Sequence, residues 1–562
     1  MPTTSSSIDA TSDRFVDDSA RLNPNEATIL GIVDYDDQLT DYSPEGHQAR
    51  AESAVTALRA VEAIEPTTDA ERAAKAVFAE RIGIYAELHE AGLLQSELNV
   101  IESPPQVIRM VFDLMGTRTA QDWEIIARRL ARVPDALANL RASLSASAAR
   151  GQVSALRQVT KVADQCETWA GHGGQSFFTE FVAGAERIEG VDNALRIDLR
   201  AGATAAASAY ADLAQFLRAE LAPKAPAKDA VGADVYRLWS RSFTGADLDL
   251  AEAYQWGWEE FFRIETEMKG LADRIKPDAT LAEAAAALDA DPRYRVRGTD
   301  GLRDWMQRLS DQALADLRDV HFDIPDPLMN LECRIAPPGG GVGAYYTGPT
   351  SDFSRPGQMW WSVPAGQQDY ATWRETSTVY HEGVPGHHLQ IATAVYQQDT
   401  LNKFQRLMSG TSGYCEGWAL YAERLMRELG YLGDEGNLMG MLDAHLFRAA
   451  RVIVDIGMHL ELEIPAGTGF HPGERWTPEL GLEFMLTRTI TDPHHVHDEI
   501  DRYLGWPGQA PSYKLGERLW LTALAEAKQR KGAEFDLKAF HQQALEMGAM
   551  GLDTLRERLA EI

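Results

Sequence analysis

Long stretches between about residues 25 and 225 repeat alanine, leucine, glutamate, aspartate and arginine, with apolar residues three and four positions apart. Two examples are AERAAKAVFAERIGIYAELHEAGLL and EIIARRLARVPDALANLRASLSASAARGQVSALRQVTKVADQ. These residue types have high helix propensity, and this spacing places the apolar side chains on one helix face. We therefore predict antiparallel helices joined by short turns, in a mainly α fold.

Shifts in composition predict the domain organisation. Residues 1–22 are rich in serine, threonine and aspartate, which is typical of a mobile leader. Residues 23–225 form the predicted N-terminal helical region. The stretch LAPKAPAKDAVGAD at 221–234 has two prolines and few large apolar residues, so it marks a linker or surface crossing. Residues 226–562 form the predicted catalytic region, and we expect both regions to belong to one continuous fold.

A short segment with a different composition interrupts the helical pattern. Between 333 and 364, glycine, proline, serine and aromatic residues replace alanine, leucine and glutamate. Tyr345–Tyr346 and Met359–Trp361 are candidate strands, with the glycine and proline stretches as turns. The segment is either a surface excursion or a cleft wall whose edge pairs with an extended peptide. On the second interpretation, Tyr345, Tyr346 and Arg355 are candidate substrate-binding residues.

Net charge and apolar patterning limit the classes of partner. The chain has 562 residues, and 84 acidic against 54 basic side chains give a net charge of −30. This charge repels phosphate backbones and anionic lipid, so we expect neither a nucleic-acid nor a membrane partner. The first residues lack the features of a signal peptide, and no 18 apolar residues run without interruption, so a cytoplasmic location is expected. A homodimer is left open.

The richest cluster of potential metal ligands lies late in the chain. Nine of the 14 histidines fall between 381 and 497, where an even spread would place about three. The cluster opens with YHEGVPGHHLQ, in which His381 precedes Glu382. Many zinc proteases use H-E-x-x-H, because residues four apart share one helix face and the glutamate activates water. Here the fourth position after His381 is Pro385, so the usual motif is absent.

The identity of the second histidine ligand depends on whether the helix continues. On a continuous helix His387 would lie about 240° around from His381, whereas His388 would lie about 20° off but roughly 10.5 Å along the axis. Pro385 removes a backbone donor, and Gly386 relaxes the chain, so the helix is predicted to break there. We interpret Pro-Gly as an insertion that loops out and returns His387 to the ligand position. His388 is the alternative.

A third ligand is expected because catalytic zinc sites usually have three protein ligands. The segment GYCEGWALYAE places Glu416 near the start of a predicted helix, among aromatic and uncharged residues. Glu423 follows seven residues later on nearly the same face. His381, His387 and Glu416 are therefore the predicted Zn²⁺ ligands.

Two other sets of potential ligands are set aside. Cys166, Cys333 and Cys415 are scattered and form no CxxC pair, so neither a disulfide framework nor a thiolate zinc site is indicated. The segment DPHHVHDE at 492–499 has adjacent histidines that point in different directions, and we interpret it as a solvated turn.

Four segments together resemble a known family. YHEGVPGHHLQ, YCEGWALYAERL, SRPG and DRYLGWPGQAPSYKLGE, between about 354 and 517, are similar to the bacterial family catalogued as domain of unknown function 885. That family resembles helical zinc carboxypeptidases of the carboxypeptidase Taq type. The resemblance implies a large helical zinc-metallopeptidase-like fold with a deep cleft and a small β inset.

The same resemblance also implies roles for particular residues. In the carboxypeptidase Taq type a ligand glutamate follows the zinc helix, with another glutamate seven residues on, and Glu416 and Glu423 match that spacing. Those enzymes also carry an R-x-x-x-D pair, to which Arg451 and Asp455 correspond. This chain departs from the pattern at the Pro-Gly insertion between its histidines.

The last motif, DRYLGWPGQAPSYK, is dense in groups that can bind a peptide. Tyr513 is the first candidate to stabilise an oxyanion, and Tyr503 is the second. Arg502 or Lys514 can pair with a terminal carboxylate, Arg502 better because a guanidinium binds in bidentate fashion. The alternative for both cations is an ordinary structural salt bridge. Gln509 is a further substrate-binding candidate.

Together these features predict a zinc-dependent metallohydrolase, a carboxypeptidase-like peptidase acting on small peptides. Glu382 would take the proton of zinc-bound water and pass it to the leaving amine. Two alternatives are a metal-free helical binding protein on the same scaffold and a zinc hydrolase of a non-peptide amide.

Overall fold

The computed structural model describes residues 7–336, 343–364 and 366–562. Helices contain 68% of the residues and strands 4%, so the predicted mainly α fold with a small β inset is confirmed. The chain divides into two compact units, one of residues 1–230 with 501–506 and one of 231–500 with 507–562. The first boundary follows the predicted one by a few residues, whereas nothing in the composition indicated that 501–506 belong with the first unit.

The first unit is a helical assembly with an aromatic core. Phe112, Phe178 and Tyr210 are fully buried, and the Tyr210 hydroxyl donates a 2.7 Å hydrogen bond to the Pro105 carbonyl. Its helices are α1 (Ser7–Leu22), α2 (Pro24–Ile29), α3 (Pro44–Glu62), α4 (Asp69–Glu90), α5 (Pro104–Leu114), α6 (Ala120–Leu130), α7 (Val133–Ala149), α8 (Leu156–Ala170), α9 (Phe177–Ala183) and α10 (Asn193–Phe216).

The leader is ordered where the structure describes it. Residues 1–6 lie outside the described residues, but α1 begins at Ser7, so the prediction of a mobile segment up to residue 22 is wrong from there on. Ile8, Phe15 and Val16 are buried, and the Phe15 ring meets Phe78 of α4 edge to face at 5.4 Å. The composition misled because a few apolar residues suffice when helical spacing brings them to one face.

The second unit contains the candidate site. Most of its residues are helical, and two small sheets precede the first site helix. Its helices are α11 (Gly232–Thr244), α12 (Leu250–Ile275), α13 (Leu281–Ala290), α14 (Gly298–Leu317), α15 (Thr372–Glu382), α16 (His387–Tyr396), α17 (Lys403–Leu407), α18 (Ser412–Glu428), α19 (Glu435–Leu460), α20 (Pro478–Arg488), α21 (Pro493–Gly505, whose last residues group with the first unit), α22 (Ser512–Lys531), α23 (Leu537–Glu546) and α24 (Leu552–Leu559).

The β inset has the two predicted strands. The strands of the second unit are β1 (Arg295–Arg297), β2 (Leu331–Ile335), β3 (Ala344–Thr347), β4 (Gly357–Trp361) and β5 (Asp369–Ala371). β4 is central, parallel to β2 and antiparallel to β3, with Tyr346 opposite Met359. β1 and β5 form a separate antiparallel pair. The predicted turn at 337–342, and residue 365, lie outside the described residues.

No helix in the described ranges is long and apolar enough to cross a membrane. The deep cleft implied by the resemblance stays a prediction.

A close helix contact fixes the helix that carries Glu416. A Cβ atom at Gly417 of α18 would lie 2.5 Å from the Cα atom of Gly516 of α22. Because real Cβ atoms cannot approach a backbone this closely, only glycine lets the two helices pack at this distance.

We expect Gly417→Ala to destabilise the protein by about 1–3 kcal/mol, because the added methyl group forces α18 and α22 apart. The matched control is Gly270→Ala in α12, an exposed helical position with nothing within 4 Å of the added atom. There alanine should stabilise by up to about 1 kcal/mol through helix propensity. Equilibrium unfolding in urea measures both, and equal effects would contradict the close packing.

Candidate metal centre

The segment between the two histidines breaks the helix. α15 ends at Glu382 and α16 begins at His387, so Gly383–Gly386 separate two helices. The indole of Trp418 in α18 donates a 2.8 Å hydrogen bond to the Pro385 carbonyl. A Cβ atom at Gly386 would overlap the carbonyl oxygen of His381, so a side chain cannot fit at this turn. The predicted interruption is therefore present and is longer than the Pro-Gly pair.

The break brings His387 beside His381. Their ring centroids are 4.8 Å apart at an angle of 81°, and both side chains are nearly enclosed. His388 points elsewhere: Nδ1 bonds the Tyr346 hydroxyl at 2.9 Å, and Nε2 bonds the Leu328 carbonyl at 2.7 Å. Burial lowers the pKa of His388 to about 4, so the ring stays neutral and fits these partners. Both nitrogens of His388 are occupied by structural bonds.

Glu416 completes a converging set from the second turn of α18. Thr411 caps that helix by accepting the Tyr414 N–H. The Glu416 Oε2 atom lies 3.1 Å from His381 Nε2 and 3.7 Å from His387 Nε2. Burial alone raises the pKa of Glu416, but the two histidines hold that pKa well below its ordinary value. The carboxylate is thus ionised between two imidazoles.

These separations fit one zinc ion. Two nitrogen or oxygen ligands about 2.0–2.1 Å from a tetrahedral ion lie about 3.3–3.4 Å apart. The distances of 3.1 and 3.7 Å from the carboxylate oxygen to the two ring nitrogens bracket that value. Two imidazoles and one carboxylate are also a usual donor set for zinc. His381, His387 and Glu416 are therefore suited to hold the ion.

Glu382 lies next to the same point. One of its carboxylate oxygens and one nitrogen of each of His381 and His387 all fall within 4.8 Å of one another, the single such cluster in the described part of the chain. Its Oε2 atom is buried and has no hydrogen-bond partner among the described residues. Burial raises the pKa of Glu382, partly offset by the two histidines. Glu416 Oε2 lies 3.1 Å from His381 Nε2 and 3.7 Å from His387 Nε2, so two carboxylates, Glu382 and Glu416, lie beside the two imidazoles.

Glu423 orients His381. It is fully buried, and its Oε1 atom lies 2.8 Å from His381 Nδ1, while the Ser377 hydroxyl donates to its Oε2 atom. Burial alone raises the pKa of Glu423, but Arg448, His381 and His445 keep that pKa well below its ordinary value. A carboxylate behind a ligating histidine fixes the tautomer and the ring orientation. Burial by itself lowers the pKa of His381, but the bonds to Glu416 and Glu423 raise that pKa to about 9.

Tyr513 is the tyrosine of the last motif that is near this cluster. Its half-buried ring lies between two guanidinium groups, with centroid distances of 5.9 Å to Arg448 and 4.6 Å to Arg451. Arg448 in turn contacts Glu423 at 3.9 Å. Tyr503 is fully buried, so its hydroxyl has no surface with which to meet a substrate. Arg502 and Tyr503 both belong to the first unit.

Lys514 does not fit its predicted role as a substrate-binding cation. It is fully buried; its Nζ atom lies 2.9 Å from Glu260 of α12 and also pairs with Glu517. Burial raises the pKa of Glu260, but Arg263 and Lys514 lower that pKa to about 2. The structural salt bridge was the correct alternative, because a lysine buried between two carboxylates has no capacity left for a ligand.

The three residues of the β inset that were predicted to bind substrate all contact other residues of the protein. Tyr346 bonds His388, and burial raises the pKa of its hydroxyl well above the ordinary value. Arg355 donates to the Gly348 carbonyl at 2.9 Å and to Gln358 at 3.3 Å. Tyr345 is 45% exposed and stacks on Trp360. The predicted substrate contacts of Tyr345, Tyr346 and Arg355 stay predictions.

Other sequence-predicted residues hold the helices around the cluster. Gln509 donates a 3.1 Å hydrogen bond to Ser412 at the start of α18. Arg451 binds Glu499 at 2.7 Å, whereas Asp455 accepts bonds from the Tyr236 hydroxyl at 2.6 Å and the Gly508 N–H at 2.9 Å.

The segment at 492–499 is a helix, not the predicted turn. It lies in α21, where His494 and His497 are exposed and His495 stacks on Phe447 at 5.7 Å. These histidines form no metal-binding group within the described residues. The aspartate at 492 caps the backbone N–H groups of His494 and His495, which explains how this polar stretch begins a helix.

Sequence reasoning missed two polar residues of α19. His445 and Arg448 lie three residues apart, with the same spacing between Arg448 and Arg451, and His445 lies 3.5 Å from Glu423. Polar side chains on a buried helix face lower the stability of the protein unless they form hydrogen bonds or ion pairs. That spacing was the available signal.

The fold and this cluster define a mainly helical protein with a buried His–Glu group of metal-binding type. The chain belongs to the family described as bacterial protein of unknown function (DUF885), which matches residues 24–559. A search among curated proteins gives no match.

Two solved structures share the fold. The putative lipoprotein from Colwellia psychrerythraea is 24% identical, with a TM-score of 0.84, over 99% of this chain and 98% of that chain. A putative lipoprotein of unknown function from Shewanella oneidensis is 18% identical, with a TM-score of 0.74, over 98% and 99% of the two chains. At these identities the likeness establishes the fold alone.

We expect His387→Ala and His388→Ala to differ in zinc content. Losing His387 removes a converging ligand, so bound zinc should fall from about one ion per chain to almost none. Losing His388 should leave zinc in place and destabilise the fold by about 1–3 kcal/mol, because Tyr346 and the Leu328 carbonyl lose their partner. Elemental analysis of protein purified without chelators, with thermal unfolding, measures both. The reverse pattern would assign the ion to His388.

We expect Lys514→Met to destabilise the protein by about 3–5 kcal/mol, because two buried carboxylates lose their cation. Lys531→Met, at the exposed end of the same helix, is the control and should change stability by less than about 0.5 kcal/mol. Urea unfolding gives both values. A small effect at Lys514 would show that the buried array tolerates its loss.

Proposed function

We propose that this protein is a zinc-dependent metallohydrolase that cleaves small peptides. The observation that supports this most directly is the position of Glu416 Oε2, 3.1 Å from His381 Nε2 and 3.7 Å from His387 Nε2, with Glu382 alongside, whose buried Oε2 atom has no hydrogen-bond partner among the described residues. Metal-free binding proteins have no need for three ionisable donors at zinc-ligand spacing.

Each residue has a chemical task in this proposal. Bound zinc would supply Lewis-acid polarisation of a carbonyl group and make water more acidic. Glu382, whose pKa burial raises, accepts a proton from the attacking water and delivers it to the leaving amine. Glu423 keeps the His381 ring in one orientation. Tyr513 donates its hydroxyl proton in a hydrogen bond to the oxygen on which negative charge develops.

The substrate class follows from the site and from the resemblance noted in the sequence. A carboxypeptidase-like action on short peptides fits a centre that is largely buried, because a long folded chain cannot enter it. Hydrolysis of a non-peptide amide would use the same groups. Only a comparison of rates with peptide and non-peptide amide substrates distinguishes it from peptide hydrolysis. A metal-free binding role is favoured if the purified protein contains no stoichiometric zinc.

The cytoplasmic location expected from the sequence belongs to the same proposal. The two structural neighbours carry the name lipoprotein, so cell fractionation is the direct test for this chain. A homodimer is also left to measurement.

We expect Glu382→Gln to keep zinc and stability but to lower peptide turnover by about 10²- to 10⁴-fold, because the amide cannot accept a proton. The measurement is kcat/KM for a panel of short peptides, with zinc content determined on the same preparation. Glu375→Gln, on the same helix one heptad earlier, is the matched control and should retain turnover. Near-normal turnover in Glu382→Gln would exclude this glutamate from the mechanism.

A further inference from the structure

Arg448 of α19 is a largely buried cation with unused hydrogen-bond donors. Its side chain is 14% exposed, and its contact with a carboxylate is a loose one, 3.9 Å from Glu423 Oε1. Its Nε atom is buried without a partner among the described residues. Nearby arginines are paired more closely: Arg451 lies 2.7 Å from Glu499, and Arg424 lies 2.9 Å from Glu517.

The charge of Glu423 does not satisfy this guanidinium. The carboxylate already bonds His381 Nδ1 at 2.8 Å, accepts from the Ser377 hydroxyl and lies 3.5 Å from His445. At 3.9 Å from Arg448 it attracts the cation without a hydrogen bond. The buried Nε–H of Arg448 has no partner among the described residues, and a buried donor without a hydrogen bond is costly. An anion that arrives at Arg448 therefore gains both charge and hydrogen bonding.

The position of Arg448 ties it to the proposed centre. The same oxygen, Glu423 Oε1, lies 3.9 Å from the Arg448 guanidinium and 2.8 Å from Nδ1 of His381, a predicted zinc ligand. The ring of Tyr513 lies 5.9 Å from the same guanidinium. Arg448 therefore lies beside the proposed oxyanion donor and is linked to the predicted zinc ligand His381 through Glu423.

We propose that Arg448 binds a carboxylate of the substrate, so that the site selects anionic peptides or acylated amino acids. This proposal rests on the proposed function and adds to it the residue that recognises the substrate. A planar guanidinium can hold a carboxylate through two parallel hydrogen bonds. The carboxylate comes either from a free C-terminus or from an acidic side chain. Lys514 cannot take this role, because its ammonium group is already paired with Glu260 and Glu517.

A measurement of ligand binding tests this proposal independently of hydrolysis. The protein carries Glu382→Gln so that ligands are not consumed, and isothermal titration calorimetry measures three probes: acetyl-Ala-Ala acid, acetyl-Ala-Ala amide and acetyl-Ala-Glu amide. At least one of the two anionic probes should bind at least about tenfold more tightly than the neutral amide. Tighter binding of acetyl-Ala-Glu amide than of the neutral amide would assign the carboxylate to a side chain, and tighter binding of the acid assigns it to the C-terminus.

Arg448→Gln in the same background should abolish the preference for the anionic probe. Arg427→Gln is the control, a half-buried arginine of α18 paired with Glu267, and it should keep the preference. Arg448→Lys, which keeps the charge without the planar fork, should keep a reduced preference and serves if the glutamine variant does not fold.

Equal or undetectable binding of all three probes, or an unchanged preference in Arg448→Gln, would overturn the proposal. A charge preference that depends on Arg448 in a protein without hydrolytic activity would support this anion site while rejecting the proposed function.

Discussion

The fully buried carboxylate of Glu423 is the contact on which the candidate centre depends. It links three helices: α15 through His381 and Ser377, its own helix α18, and α19 through His445 and Arg448. A buried carboxylate is stable only when charge and hydrogen bonds compensate for the loss of water. Because these partners together keep the pKa of Glu423 well below its ordinary value, one buried carboxylate connects the packing of three helices with the orientation of His381.

The broken helix then sets the distance between the two imidazoles. In a continuous helix that distance follows from helix pitch, whereas here it follows from the path of Gly383–Gly386, held by Trp418 and by the lack of room at Gly386. The sequence allowed this break to be predicted, because proline and glycine act on the backbone locally. The sequence also allowed the position of Glu416 beside the two imidazoles to be predicted, since a glutamate on a following helix requires only helical phase and an apolar setting.

Other parts of the site could not be predicted because they depend on partners distant in sequence. Lys514 stands in a motif that suits substrate binding, and only the fold shows that Glu260 of α12 occupies it. Tyr346 and His388 were each assigned to the site, but each satisfies the other. Arg448 was overlooked for the opposite reason, since an arginine in a helix usually has a carboxylate or water to meet. The mainly α fold was predictable because helical spacing is a local signal, whereas the helical leader depended on burial of three residues against later helices.

The chain path also has a consequence for synthesis on the ribosome. Residues 501–506 leave the second unit, join the first and return, and within the first unit Asp501 meets Arg157 at 3.3 Å and Lys161 at 2.9 Å. Domains usually acquire structure in the order in which they emerge. Here residues 1–230 lack the ion pairs with Asp501 until nearly nine-tenths of the chain has been translated, although Arg157 already has Asp229 at 3.2 Å as a partner. The N-terminal unit is first to be made and among the last to be finished, so a nascent chain stalled before residue 501 exposes an incomplete unit to chaperones and proteases.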